Sequence, residues 1–122
     1  MHPKILWPDN KKFAFAIFDD TDRANLRDNQ LIYQCLDELN FKTTKSVWIT
    51  DGNMPNKDRG VTCDNKIYLK WLLELKEKGF EIGYHNTTYH SSYRKEIKEG
   101  LEKFVKIFNQ SPTVMSNHSN NE

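Results

Sequence analysis

Phe13-Ala14-Phe15-Ala16-Ile17-Phe18-Asp19-Asp20-Thr21-Asp22 is the stretch that decides how this chain is read. Six apolar residues run without a break into a cluster of carboxylates, which reads as a strand buried on both faces, as parallel sheets require. Adjacent carboxylates repel one another unless a cation or a proton lies between them. The C-terminal ends of strands are also where barrels and open α/β sheets place their chemistry. Taken alone, the cluster is explained equally well by one Asp capping the next helix while the others face water.

The segments that follow alternate in character. Leu31, Ile32, Cys35, Leu36 and Leu39 recur every three to four residues, which predicts a helix over about 25–40 with these residues on its core face. The run 46–49 (Ser-Val-Trp-Ile) reads as a second strand, and 53–64, with Pro55 and Gly60, as a loop. Tyr68, Trp71, Leu72 and Leu75 form an i, i+3, i+4, i+7 stripe on a second helix that Gly79 stops. A third strand is expected over 80–84. A third helix then carries Ile97, Leu101, Phe104, Val105 and Phe108, and a fourth strand is expected over 113–115. The order β-α-β-α-β-α-β predicts an α/β fold with a parallel sheet.

Composition narrows the class. The chain has 122 residues, 37% hydrophobic and 29% charged, which suits one globular domain with a core. A formal net charge of +1 gives no footprint for nucleic acid. No apolar run approaches the ~20 residues of a membrane span, and no signal-peptide pattern opens the chain. With only two cysteines, Cys35 and Cys63, a disulfide framework is not expected, and a cytoplasmic location is the default.

A second cluster, His85-Asn86-Thr87-Thr88-Tyr89-His90, follows the third strand. In a parallel sheet the ends of strands one and three open on the same side. Two imidazoles and a carboxylate gathered there would suit a zinc ion at about 2.0–2.1 Å from each nitrogen. On a helix, positions five apart diverge by roughly 140°, so this segment must be a loop if both rings bind one metal. Two solvent-exposed loop histidines are the plainer alternative. Asp22 can extend the acidic cluster or pair with Arg23 or Arg27, and helix-surface pairing is the commoner outcome. Trp48 and Trp71 could line a sugar site, though both read better as core.

These motifs resemble the N-terminal half of a polysaccharide deacetylase domain (NodB-homology, carbohydrate esterase family four). That family carries an apolar strand ending in T-F-D-D, matched by Ile17-Phe18-Asp19-Asp20, and E-I-G-x-H, matched by Glu81-Ile82-Gly83-Tyr84-His85 and followed by His90. The resemblance covers about 12–114 and implies a partial (β/α) barrel of four parallel strands alternating with three helices. It makes residues 1–122 a single domain, with a core over about 12–115 and a polar tail over 116–122. It also implies that Asp19 is the catalytic base, that Asp20, His85 and His90 hold a divalent transition metal, with Zn2+ the expected ion, and that the substrate is an N-acetylated carbohydrate or a related small amide.

The departures are specific. The family usually spaces its histidines four apart, and here they are five apart. Its arginine loop would fall over 115–121, where no arginine stands, although His118 could project into the site. The later motifs, including the general acid, would lie beyond residue 122. A truncated domain is therefore expected, with an inactive metal-binding remnant or interaction module as the alternative and self-association through the open barrel edge as a consequence. A receiver-type signalling domain is a weaker reading, because the phosphoacceptor position after strand three reads Tyr84-His85.

Overall fold

The computed structural model describes residues 6–55 and 57–117. His118 and the end of the tail lie outside the described residues. After a short 3-10 turn at Pro8–Asn10, the elements run β1 (Phe18–Asp19), α1 (Leu26–Glu38), β2 (Thr44–Val47), α2 (Lys66–Glu77), β3 (Glu81–Tyr84) and α3 (Arg94–Phe108). The strands form a parallel sheet in the order β1-β2-β3. A parallel bridge joins Tyr84 to Met115, with Tyr84 N–H donating to the Val114 carbonyl and Ser116 N–H to the Tyr84 carbonyl. The chain thus begins a fourth parallel position beside β3. The architecture is α/β with parallel strands, as the alternating pattern predicts.

Helix boundaries follow from local chemistry. Asn25 and Asn65 cap α1 and α2, their side-chain oxygens accepting from Asp28 N–H in one case and from Ile67 and Tyr68 N–H in the other. Past the end of α2, Gly79 takes φ +88°, the left-handed conformation that ends a helix at no side-chain cost. The α2 stripe Tyr68, Trp71, Leu72 and Leu75 is buried with Val47, Ile82 and Tyr84 of the strands and Ile49 just past β2, and Phe104 and Phe108 of α3 complete this core.

Two expectations change in the structure. Only Phe18–Asp19 of the first apolar run pairs as strand, and Phe13 and Phe15 are 76% and 70% exposed. Among the described residues the strand lies at the sheet edge, paired to β2, and Phe13 and Phe15 precede it outside the sheet. On α1 the buried face is Asn29 and Tyr33, with Leu26 and Leu36 packed beside them, whereas Leu31, Ile32, Cys35 and Leu39 are exposed. Tyr33 wins the core side because its ring packs edge-on against Trp71 and Phe80 and its hydroxyl reaches Asp19.

Candidate metal centre

Residues alternate across a strand, and that alternation separates the two adjacent acids. Phe18 lies on the sheet face away from the helices. A Cβ on Gly83 would stand 3.1 Å from its ring and 3.0 Å from the Thr44 methyl, so the glycine of E-I-G-Y-H admits this close packing. Asp19 turns to the helix-covered side. There its Oδ2 accepts from the Tyr33 hydroxyl at 3.0 Å and lies 2.9 Å from the Lys45 ammonium, which is fully buried. Burial holds the Lys45 pKa below its ordinary value, with the Asp19 charge opposing that shift. Burial likewise raises the Tyr33 phenol, opposed by a bond from Thr43 and reinforced by the Asp19 charge.

Asp20 leaves the strand on the opposite side from Asp19. Its Oδ1 accepts from Asp22 N–H at 2.9 Å, an Asx-turn that folds the loop back on itself, and Arg23 completes the reversal with φ +55°. Arg23 is anchored in that conformation through its N–H to the Asp58 carbonyl and its guanidinium to the Asp58 carboxylate. The turn sets the Asp20 and Asp22 side chains together, and His85 arrives from the end of β3. Its Nε2 lies 3.6 Å from Asp20 Oδ1 and 3.6 Å from Asp22 Oδ1. One ligand atom from each of the three residues lies within 4.8 Å of the others.

This donor set fits a divalent cation. Tetrahedral ligands about 2.1 Å from an ion stand roughly 3.4 Å apart, so the imidazole-to-carboxylate spacings are already close to those of a filled site. Two carboxylates within 4.8 Å of one another repel by at least about 1 kcal/mol in bulk water and about 3 kcal/mol at an effective dielectric of 20, which a cation between them reverses. Asp20 is largely exposed and Asp22 partly so, while His85 is buried, so the site opens to solvent on its acidic side. The imidazole is held edge-on by the buried Trp48 at 5.6 Å between ring centroids.

The remaining histidine lies elsewhere. Trp48 also packs edge-on with Tyr89, and Tyr89 with His90, so His85, Trp48, Tyr89 and His90 form a row of four rings with the two histidines at its ends. His90 Nδ1 donates to the Ser91 carbonyl at 2.7 Å, and its Nε2 accepts from Asn53 N–H at 3.2 Å. A ring so bonded has committed both nitrogens. The structure therefore brings Asp20 and His85 together and adds Asp22, while Asp19 and His90 hold other partners. The signal for Asp22 was present in the sequence as Asp20-Thr21-Asp22, since an Asx-turn places such acids side by side. Among the described residues, no helix is long and apolar enough to cross a membrane. Comparison of the chain with protein-family models, with curated proteins and with solved structures gave no match.

Proposed function

We propose that the chain is a metal-dependent hydrolase of non-peptide C–N bonds, of the polysaccharide deacetylase kind, acting on N-acetylated sugars or related small amides. The observation that carries this reading is the meeting of Asp20, Asp22 and His85 at the C-terminal end of a parallel sheet. A divalent cation bound there, with zinc the first choice, supplies Lewis acidity toward an acyl carbonyl and acidifies water. Asp20, Asp22 and His85 bind it, and Trp48 fixes the His85 ring plane and shields it from solvent. Asp19, the base that the resemblance implies, is held on the helix side of the sheet by Lys45 and Tyr33 at its Oδ2, and no proton transfer is assigned to it.

A second reading, a metal-binding module without turnover, is favoured by the same Asp19 contacts, which tie the implied base to the helix side of the sheet. One experiment separates the two. The purified chain is loaded with Zn2+, its bound metal is quantified, and acetate release from N-acetylated oligosaccharides is followed for the parent and an Asp20→Ala/His85→Ala variant. Stoichiometric metal and acetate release, both lost in the variant, support the hydrolase. Metal without acetate release supports the module, and a folded parent that takes up no metal overturns both.

A further inference from the structure

We infer that two copies of this chain close one parallel sheet about a two-fold axis running along the strands, with the β1–α1 flank of each seated on the α3–Met115 flank of the other. The sheet order β1-β2-β3 continues through the Tyr84–Met115 bridge, so successive strands step round in one direction. Right-handed crossovers then lay the helices on one side, and Tyr33, the α2 stripe and Phe104 share a single core there. Among the described residues no further strand pairs with the outer edge of β1 or of Met115, and open edges of this kind are where another chain can add. The inference rests on the fold and not on the metal reading.

The helix faces show what the two flanks carry. On α1, the pair of Asp37 with Lys78, just past α2, marks the side facing α2. Ile32 and Leu39 stand roughly 140–160° round the helix from Asp37, and both are exposed. Phe15, also exposed, packs on Phe41 just beyond Leu39. On α3, Lys103 reaches back to Asp64, ahead of α2, and marks the inner side. Ile97, Leu101 and Val105 stand roughly 120–160° from Lys103. Ile97 and Leu101 line a groove with Arg94, Lys95 and Lys98, while Val105 and Met115 are exposed. Each flank therefore turns apolar side chains away from α2.

The two flanks suit one another. Within the chain each helix is met by the next one round, α1 by Lys78 after α2 and the start of α2 by Lys103 of α3. The same step taken once more from α3 calls for a β1–α1 flank, and a second copy supplies one. Helix α1 holds three acids and one base, whereas α3 holds five bases and three acids, so the helices that meet carry opposite net charge. Lys95 and Lys98, beside the groove, stay exposed, with Glu99 and Glu102 at 3.8 and 3.9 Å. A two-fold axis uses the contact twice and closes the pair, where a repeated one-way contact would extend a fibre. Four strand positions from each copy make about eight, the number whose interior is filled by side chains alone. The axis runs along the strands, so both clusters of Asp20, Asp22 and His85 open at the same end.

The test is sedimentation equilibrium of the intact chain and of three variants at exposed helix positions, Ile32→Glu on one flank, Val105→Glu on the other, and Ile67→Glu on α2 as a control off both. The parent should show twice the 14.5 kDa chain mass. Ile32→Glu and Val105→Glu each put a charge into the apolar contact and should weaken association at least about tenfold, while Ile67→Glu leaves it unchanged. An equimolar mixture of the two flank variants keeps one intact contact and should associate more tightly than either alone. Circular dichroism of each variant confirms that it is folded. A monomeric parent, a mass that climbs past two chains with concentration, or equal weakening by Ile67→Glu would each overturn the inference. So would a Val105→Glu chain that still pairs as the parent does, since the β1–α1 flank would then be meeting itself.

Discussion

Asp22→Asn and His90→Ala, compared in parallel, separate the donor group that the structure brings together from the ligand set that the family resemblance implies. In the structure Asp22 Oδ1 lies 3.6 Å from His85 Nε2, close to the ~3.4 Å expected of two ligands on one ion. His90 Nε2 instead accepts from Asn53 N–H. Zinc at a hundredfold excess over its dissociation constant adds about 2.7 kcal/mol to the folded state. With ~2.1 cal/mol/K of unfolding entropy per residue, that raises the melting temperature of a 122-residue chain by roughly 10 °C. Removing the Asp22 charge should weaken binding at least tenfold, about 1.4 kcal/mol, and halve the zinc-induced shift at the same concentration. His90→Ala should lower the metal-free melting temperature by a few degrees, through the lost Asn53 contact, and leave the zinc-induced shift unchanged. Thermal denaturation with and without zinc reads both. If His90→Ala erases the shift while Asp22→Asn preserves it, the site is not the one described.

Other parts of the molecule give independent outcomes. Burial raises the phenol pKa of Tyr33, Tyr68 and Tyr84 above 10.0 and pushes the Cys63 thiol from 9.0 up to about 12. The unfolded chain releases these protons first, so their contribution to stability is whole below pH 9 and falls as pH rises beyond it. The loss is about 1.4 kcal/mol per pH unit for each group, and denaturant midpoints measured from pH 8 upward should show it; a flat profile would contradict the burial of these groups. Asn65→Ala removes the acceptor for two N–H groups at the start of α2 and should cost about 1 kcal/mol, some 4 °C in melting temperature. Phe13→Ser/Phe15→Ser alters exposed side chains beside the edge strand and removes the Phe15–Phe41 ring contact, so monomer stability should fall by about 1 kcal/mol or less. The same variant should shift light-scattering mass toward the monomer if the open edge drives self-association, and an unchanged mass would remove that edge from consideration.

What the sequence disclosed depended on whether one segment or several set the outcome. Helix α2 was legible because its stripe Tyr68, Trp71, Leu72 and Leu75 meets a sheet directly, and its two ends carry Asn65 and Gly79. Helix α1 was misread because two apolar stripes compete on it. The aliphatic one is the more hydrophobic, yet Tyr33 alone can pack on Trp71 and Phe80 while bonding Asp19. The first strand was overextended because apolar content cannot tell a central strand from an edge strand. At the site, Asp20 and His85 were legible as strand-end residues, whereas the choice between Asp22 and His90 turned on loop geometry. An Asx-turn drew Asp22 in, and a backbone N–H from the distant Asn53 engaged His90.

The consecutive acids Asp19 and Asp20 show why pairing of residues in sequence does not make them partners in chemistry. Each strand residue faces the opposite side from its neighbour, so of two adjacent carboxylates one must meet the helices and the other the open face. The helix side is apolar, and a charge there survives only with a counter-ion, which Lys45 provides from the adjoining strand, in register opposite Asp19. Asp20, on the solvent side, is largely exposed and stays available to a cation. Replacing Lys45 by Met therefore tests both halves of this division. It strips Asp19 of its counter-ion and should destabilise the fold by about 1–3 kcal/mol, reduced from the cost of a fully buried pair because Asp19 is 32% exposed. Zinc uptake at Asp20, Asp22 and His85 should persist. A Lys45→Met chain that folds as well as the parent but loses its metal would mean that Asp19 belongs to the metal site and that the division by strand face is wrong.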